Sequence, residues 1–195
     1  MTKKTESTFI NMLLTLFIIT AVAAFALAGV YELTKEPIEK AKLAKKIAAL
    51  NQVLPAFDTV ISQNIEFPDM AMPLGFNFAL KDGDTVGIAV ETFTMNGFSG
   101  LMRAMVGFAP DGTIIDVVHL EHKETPGLGD KVEKKKSTWS DQFKGKNPGT
   151  FKLKVVKDGG DVDAITAATI TSRAYSDAID RAFIAFKAQK GDSHE

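Results

Sequence analysis

The sequence predicts an α+β protein: one N-terminal membrane-crossing helix, then an antiparallel-sheet domain with helices packed against it. Three observations predict it. Twenty-two consecutive positions, Phe9 to Val30, carry no Asp, Glu, Lys or Arg. Two Asp-Gly pairs, Asp82-Gly83 and Asp111-Gly112, each sit between β-rich runs, a hairpin signal. From Ile170 onward the apolar period turns helical, with Ala174, Ala178, Ala182 and Phe186 on one ridge and Tyr175, Ile179 and Phe183 beside it.

As a helix the uncharged run spans roughly 33 Å, enough for a bilayer core. Two other readings compete. Lys3 and Lys4 with Ala26-Leu27-Ala28 imitate a cleaved signal peptide, and an apolar helix can also be a core helix. Residues 1–8 read as a cytoplasmic tail, 9–30 as the span, 31–55 as a stalk helix and 56–195 as an extracytoplasmic domain. The stalk holds Ile38, Ala41, Ala44, Ile47, Ala48 and Leu54 at helical spacing, with lysines on the other side. Pro37 suits its first turn and Pro55 its end. The lysines after the span outnumber those before it, which taken alone favours the opposite orientation.

Residues 56–74 read as irregular with one short strand. Phe151, Leu153 and Val155 alternate with Lys152 and Lys154 as a further strand, and Asp158-Gly159-Gly160 turns the chain. Gly191 and the lysines before it suit the end of the last helix.

Composition narrows the chemistry. The 195 residues include no cysteine, which removes disulfides, thiolate metal sites and cysteine nucleophiles. Redox work would need a bound cofactor. A formal net charge of -1 offers no basic field for nucleic acid. His119 and His122 stand three apart in a predicted strand, so they are expected on opposite faces with no third ligand nearby; no metal site is expected. No G-x-S-x-G occurs, and NGFSG (96–100) reads as a glycine-rich turn between strands.

Two segments can carry a ligand. In DAITAATITS (163–172), Thr166, Thr169, Thr171 and Ser172 crowd the mouth of the last helix, where free N–H groups and the helix dipole favour phosphate. Ala167 and Ala168 let a bulky group approach the backbone. One N-cap explains one hydroxyl and leaves three over. In HKETPGLGD (122–130), two glycines flank Leu128, so backbone could approach a flat ligand, although an ordinary turn reads the same way.

The order of span, GFSGLM, HKETPGLGD and DAITAATITS resembles the G subunit of the Rnf (Rsx) electron-transport complex, with the C subunit of the sodium-translocating NADH:quinone reductase as a close relative. The resemblance covers nearly the whole chain. It implies a flavinylation signal, Asp-x-x-(Ser/Thr)-Gly-Ala-Thr, in which a flavin transferase moves FMN from FAD onto the last threonine as a phosphoester. Carried over, Asp163 opens the motif, Thr166 is its hydroxyl position, Ala168 its alanine and Thr169 the attachment site, with Thr171 and Ser172 beside it. Ala167 stands where glycine is usual, a methyl that a negative φ would tolerate. Glu124, Thr125, Gly127 and Leu128 match the loop against the flavin ring.

The resemblance also implies an inner-membrane, single-pass protein with its domain on the periplasmic side. It would relay electrons within an ion-translocating ferredoxin:NAD⁺ oxidoreductase and be inactive alone. Its partners would be the other subunits, the transferase and membrane lipid. A flavin-free docking module and a free-standing FMN reductase are the other functions this layout allows.

Overall fold

The computed structural model describes residues 8–68 and 70–191, so the predicted tail lies outside the described residues except for Thr8. The first element is a single helix, α1, Phe9–Val53. Among the described residues it is the one helix long and apolar enough to cross a membrane, and none of its most apolar window is buried. A core helix would be covered, so that reading fails. The stalk continues the same helix and does not begin afresh at Pro37, which lies inside α1. A proline costs a helix interior about 3 kcal/mol by deleting one N–H bond. Strong helix formers on both sides keep the helix going, and a Glu36–Lys40 pair at 2.6 Å brackets the site.

The chain divides into two compact units, Met1–Ala44 and Lys45–Glu195. The last turns of α1 thus belong to the second unit, and a boundary drawn at 56 falls inside it. Ala49, Val53 and Leu54 pack with Ala79, Ala89 and Met105 on one face of a five-stranded sheet.

That sheet is a plain antiparallel meander, in the order β1 (Thr59–Ile65), β2 (Leu74–Lys81), β3 (Asp84–Gly97), β4 (Gly100–Phe108), β5 (Ile114–Glu121). Both Asp-Gly hairpins form. Asp82 and Gly83 take φ of 52° and 91°, the double positive of a type I′ turn. Asp111 accepts the N–H of Thr113 at 2.8 Å ahead of β5. Gly97 pairs with Gly100, leaving Phe98 and Ser99 as the tip of the β3–β4 hairpin.

The other sheet face carries the main core. Phe76, Val90, Val106, Phe108 and Val117 meet α2 (Thr169–Gly191) through Ala174, Tyr175, Ile179, Ala182 and Phe186. The Thr92 hydroxyl donates to the Ala178 carbonyl at 2.8 Å and ties β3 to α2. Gly191 is the last described residue.

The strand predicted at 151–155 does not form. A single bridge joins Val155 to Val162, and the chain hooks back on itself through Val156–Asp158. Lys152 N–H bonds the Asp161 carboxylate at 2.7 Å, and Asp161 N–H returns to the Lys152 carbonyl at 3.1 Å. A Cβ on Gly160 would lie 2.1 Å from the Lys154 carbonyl oxygen, so only glycine allows the hook to close this tightly. The apolar alternation reflects burial of Phe151, Leu153 and Val155 against the core, a demand a hook meets as well as a strand.

Candidate functional site

Three segments distant in sequence enclose one cavity of about 370 Å³. Phe98 comes from the β3–β4 tip, Glu124, Thr125, Leu128 and Gly129 from the loop after β5, and Ala167 to Thr171 from the start of α2. Pockets of this size take small-molecule ligands. The two segments singled out in the sequence therefore face one space.

The start of α2 supplies one wall. Ser172 N–H bonds the Ala168 carbonyl at 3.0 Å as the first helical bond. The N–H groups of Thr169, Ile170 and Thr171 lie ahead of it, at the positive end of the helix dipole. Ser172 is buried and pins the turn that precedes the helix: its hydroxyl donates to the Ala168 carbonyl at 3.0 Å and accepts the Ile165 N–H at 2.9 Å. Thr169 is half-buried on the wall, and Thr166 and Asp163 are exposed outside it. The backbone of Asp163 is clamped, its carbonyl accepting the Trp139 indole N–H at 2.6 Å and its N–H donating to Gln142 at 2.8 Å. Trp139 is itself wedged edge-on against Phe143 and Tyr175.

Ala167 departs from expectation. Its φ is +63°, in the left-handed region where glycine is favoured and a methyl is strained by about 1–2 kcal/mol. The turn that leads to Thr169 takes this φ, which the glycine usual at this position of the resembled motif would adopt without strain.

The loop wall is tied by Glu124. This buried carboxylate accepts the Ser99 N–H at 2.9 Å and the Thr171 hydroxyl. Gly127, φ +78°, closes the turn in which the Thr125 carbonyl accepts the N–H groups of Leu128 and Gly129 at 3.2 and 3.1 Å. A Cβ on Gly129 would lie 2.8 Å from both Glu124 and Thr171. Glycine there lets loop and helix meet. Thr125 and Leu128 reach the cavity, whereas Gly127 only shapes the loop.

Gly129, one of the two glycines flanking Leu128, lines the cavity as the sequence suggests, whereas Phe98 and Ile170 are lining residues that the sequence reading does not single out. Phe98 is 67% exposed, Ile170 48% and Leu128 41%, three apolar side chains around one opening. An aromatic between glycines at a hairpin tip was the available signal.

The expectation for the histidines is corrected. The pairing of Arg103 with Glu121 and Ala104 with His119 shows a bulge at Leu120, which breaks the alternation and puts both rings on one side, 5.2 Å apart. Glu133 joins them, with donor atoms of all three within 4.8 Å. Both ring systems already hold hydrogen-bond partners. The Lys45 ammonium sits 3.2 Å from His119 Nε2, and Glu124 N–H donates to His122 Nδ1 at 3.2 Å. A cation at this point is thus supplied by the chain itself. Burial, then the Lys45 charge, lowers His119 to about 4.

Known proteins have sequences similar to this one. Residues 97–183 match the model of the FMN-binding domain, and residues 12–53 that of the RnfG N-terminal region. The chain is 34% identical to the G subunit of the ion-translocating oxidoreductase complex of Shewanella piezotolerans, over 92% of this chain and 89% of the relative. It is 36% identical to the protein of the same name in Vibrio cholerae (87% and 86% covered) and 38% to that in Haemophilus influenzae (75% of each). A shared membrane-type helix, a shared ligand domain and identity sustained through both make this chain a member of the G-subunit family of ion-translocating oxidoreductase complexes.

Proposed function

We propose that the chain is the electron-relay subunit of a membrane-bound ion-translocating ferredoxin:NAD⁺ oxidoreductase, carrying FMN as a phosphoester on Thr169. The observation that carries this is the position of Thr169: first residue of α2, half-buried, on the wall of a cavity that Phe98 and Leu128 also line.

The residues fit the group. Phosphate would lie at the N–H groups opening α2. The ring would cover Phe98, Leu128 and Ile170, whose exposure otherwise has no partner to offset it. Bound flavin supplies one- and two-electron exchange, which no side chain of this cysteine-free protein offers. Attachment needs FAD and a flavin transferase. The Thr169 Oγ forms a bond to the FMN-side phosphorus, the diphosphate P–O bond breaks, AMP leaves and the hydroxyl proton is released. Asp163 and Thr166, exposed beside the cavity, are placed to be read by that second enzyme. The covalent link also holds the cofactor where none is supplied, which agrees with a domain outside the cytoplasm, and α1 confines encounters with partner subunits to the membrane plane.

The test is a denaturing gel under ultraviolet light after co-expression with a flavin transferase. Wild type and Thr171→Ala give a fluorescent band and Thr169→Ala gives none. A dark wild-type band sinks the covalent reading; a band lost only in Thr171→Ala moves the site.

A further inference from the structure

We infer that Gln142, seconded by Trp139, is a positioning residue for attachment at Thr169: it fixes the backbone of Asp163 so that the aspartate side chain stands in the open for the modifying enzyme. The inference rests on the reading of Thr169 as the attachment site.

From Asp163 to Ala168 the chain has no regular structure beyond a turn at Thr166 and Ala167, yet it is anchored at both sides of Asp163. Val162 N–H donates to the Lys154 carbonyl at 3.0 Å, and the Val162 carbonyl accepts the Val156 N–H at 2.9 Å. Ile165 is buried, with its N–H on the Ser172 hydroxyl. Between these anchors Asp163 is held by side chains alone, both from the short helical turn Trp139–Phe143. Gln142 Oε1 accepts the Asp163 N–H at 2.8 Å while its Nε2 donates to the Asp163 carbonyl at 3.3 Å. Nε2 also donates to the Trp139 carbonyl at 3.0 Å, so both amide hydrogens are used and the amide cannot be turned over. The Trp139 indole N–H reaches the same Asp163 carbonyl at 2.6 Å.

Burial does not demand this clamp. Asp163 is exposed, so water could satisfy both of its backbone groups. Three side-chain hydrogen bonds on an exposed peptide set its direction. All the hydrogen bonds of Asp163 among the described residues run through its backbone. Its carboxylate is thus left open to a cationic or N–H-donating group of a second protein. Trp139 also rests edge-on against Tyr175 of α2, the helix that begins at Thr169. One wedge therefore ties the aspartate to the helix that carries the hydroxyl, and sets the spacing between them. Only a side chain with a donor and an acceptor abreast makes the Gln142 pair. Glutamate has the same shape but would set a carboxylate oxygen against the Asp163 and Trp139 carbonyls.

The experiment uses the full chain, purified in detergent without flavin, together with a flavin transferase and FAD. Initial rates of in-gel fluorescence are read against the concentration of the chain. Gln142→Glu should raise KM about tenfold, the loss of two modest hydrogen bonds, and leave kcat within about twofold. Trp139→Phe keeps the ring contacts, loses the indole donor and should raise KM about threefold. A double-mutant cycle separates positioning from folding. In an Asp163→Ala background Gln142→Glu should change KM by less than about twofold, because the side chain it presents is gone. Effects that multiply would show that Gln142 acts on the fold alone and overturn the inference, as would a wild-type KM in Gln142→Glu. A second reading needs no flavin: the Asp163 amide should exchange with solvent about ten times faster in Gln142→Glu, with the α2 amides unchanged. Unchanged exchange at Asp163 overturns the clamp itself. A wild type that takes no label strikes the Thr169 reading and this inference with it, an outcome distinct from a labelled wild type beside an equally labelled Gln142→Glu.

Discussion

Glu124 and Thr171, 47 positions apart, share a hydrogen bond beneath the cavity. Both side chains are buried, so neither can turn to water if the other is lost. Glu124→Ala leaves the Ser99 N–H and the Thr171 hydroxyl without their acceptor and should destabilise the domain by about 2–3 kcal/mol. Glu124→Gln, whose amide can accept from Ser99 and donate to Thr171, should lose less than half of that. Urea unfolding of the two variants reads the difference; equal losses would show that an amide of the same shape cannot stand in for the carboxylate's two acceptor oxygens.

Ala167 predicts a gain. Glycine has no Cβ to strain at φ +63°. Against this stands glycine's larger unfolded-state entropy. The balance for Ala167→Gly should be about 0.5–1 kcal/mol of added stability, seen as a higher melting temperature with the attachment site intact. A lower melting temperature would mean that the methyl packs usefully against the cavity.

The pH dependence follows from His119. Its ring is lowered from 6.5 in a free chain to about 4 when folded. Between those values the unfolded chain binds the proton and the folded chain does not, so the stability this group confers is complete above pH 6.5 and drains away as pH falls toward 4. Discounted for partial exposure, the swing is about 1–2 kcal/mol. Denaturant midpoints at about pH 7, 6 and 5 should decline, and His119→Gln should flatten that part of the curve. An unaltered slope in the variant would place the acid sensitivity elsewhere.

The end of α1 depends on one absent side chain. A Cβ on Gly107 of β4 would lie 1.8 Å from the Val53 carbonyl oxygen. Gly107→Ala should cost about 3 kcal/mol and lift Lys45–Val53 off the sheet. Limited proteolysis would then cut within that stretch before it cuts the sheet. Unchanged cleavage would show that the strand, not the helix, gives way.

How much of this could be read beforehand depended on how local the cause was. The Asp82-Gly83 turn is written in two adjacent residues, and it formed. So did the α2 ridge, whose period repeats turn after turn. The hook at 151–162 was missed because burial of alternate residues fits both a hook and a strand, and the deciding fact is Gly160 meeting the Lys154 carbonyl. The histidines were misplaced because a bulge at Leu120 leaves no mark in the residue types. The two ligand segments were legible as segments. That they share a cavity with Phe98 was not, since only the finished sheet brings residues 98, 124 and 169 together. The positive φ of Ala167 was hidden by the alanine itself, where a glycine would have announced it.

The meander has a consequence for the order of synthesis. Each strand pairs with the one before it, so the sheet can zip up as the chain leaves the ribosome. The cavity cannot follow that schedule, because its last wall begins at Ala167 and completes at Thr171. A truncated chain that stops short of those residues can own a whole sheet and still offer nothing to a modifying enzyme. Attachment at Thr169 would therefore wait until the first turn of α2 has closed on the loop after β5, so that a folded site, and not the motif alone, is what a modifying enzyme meets.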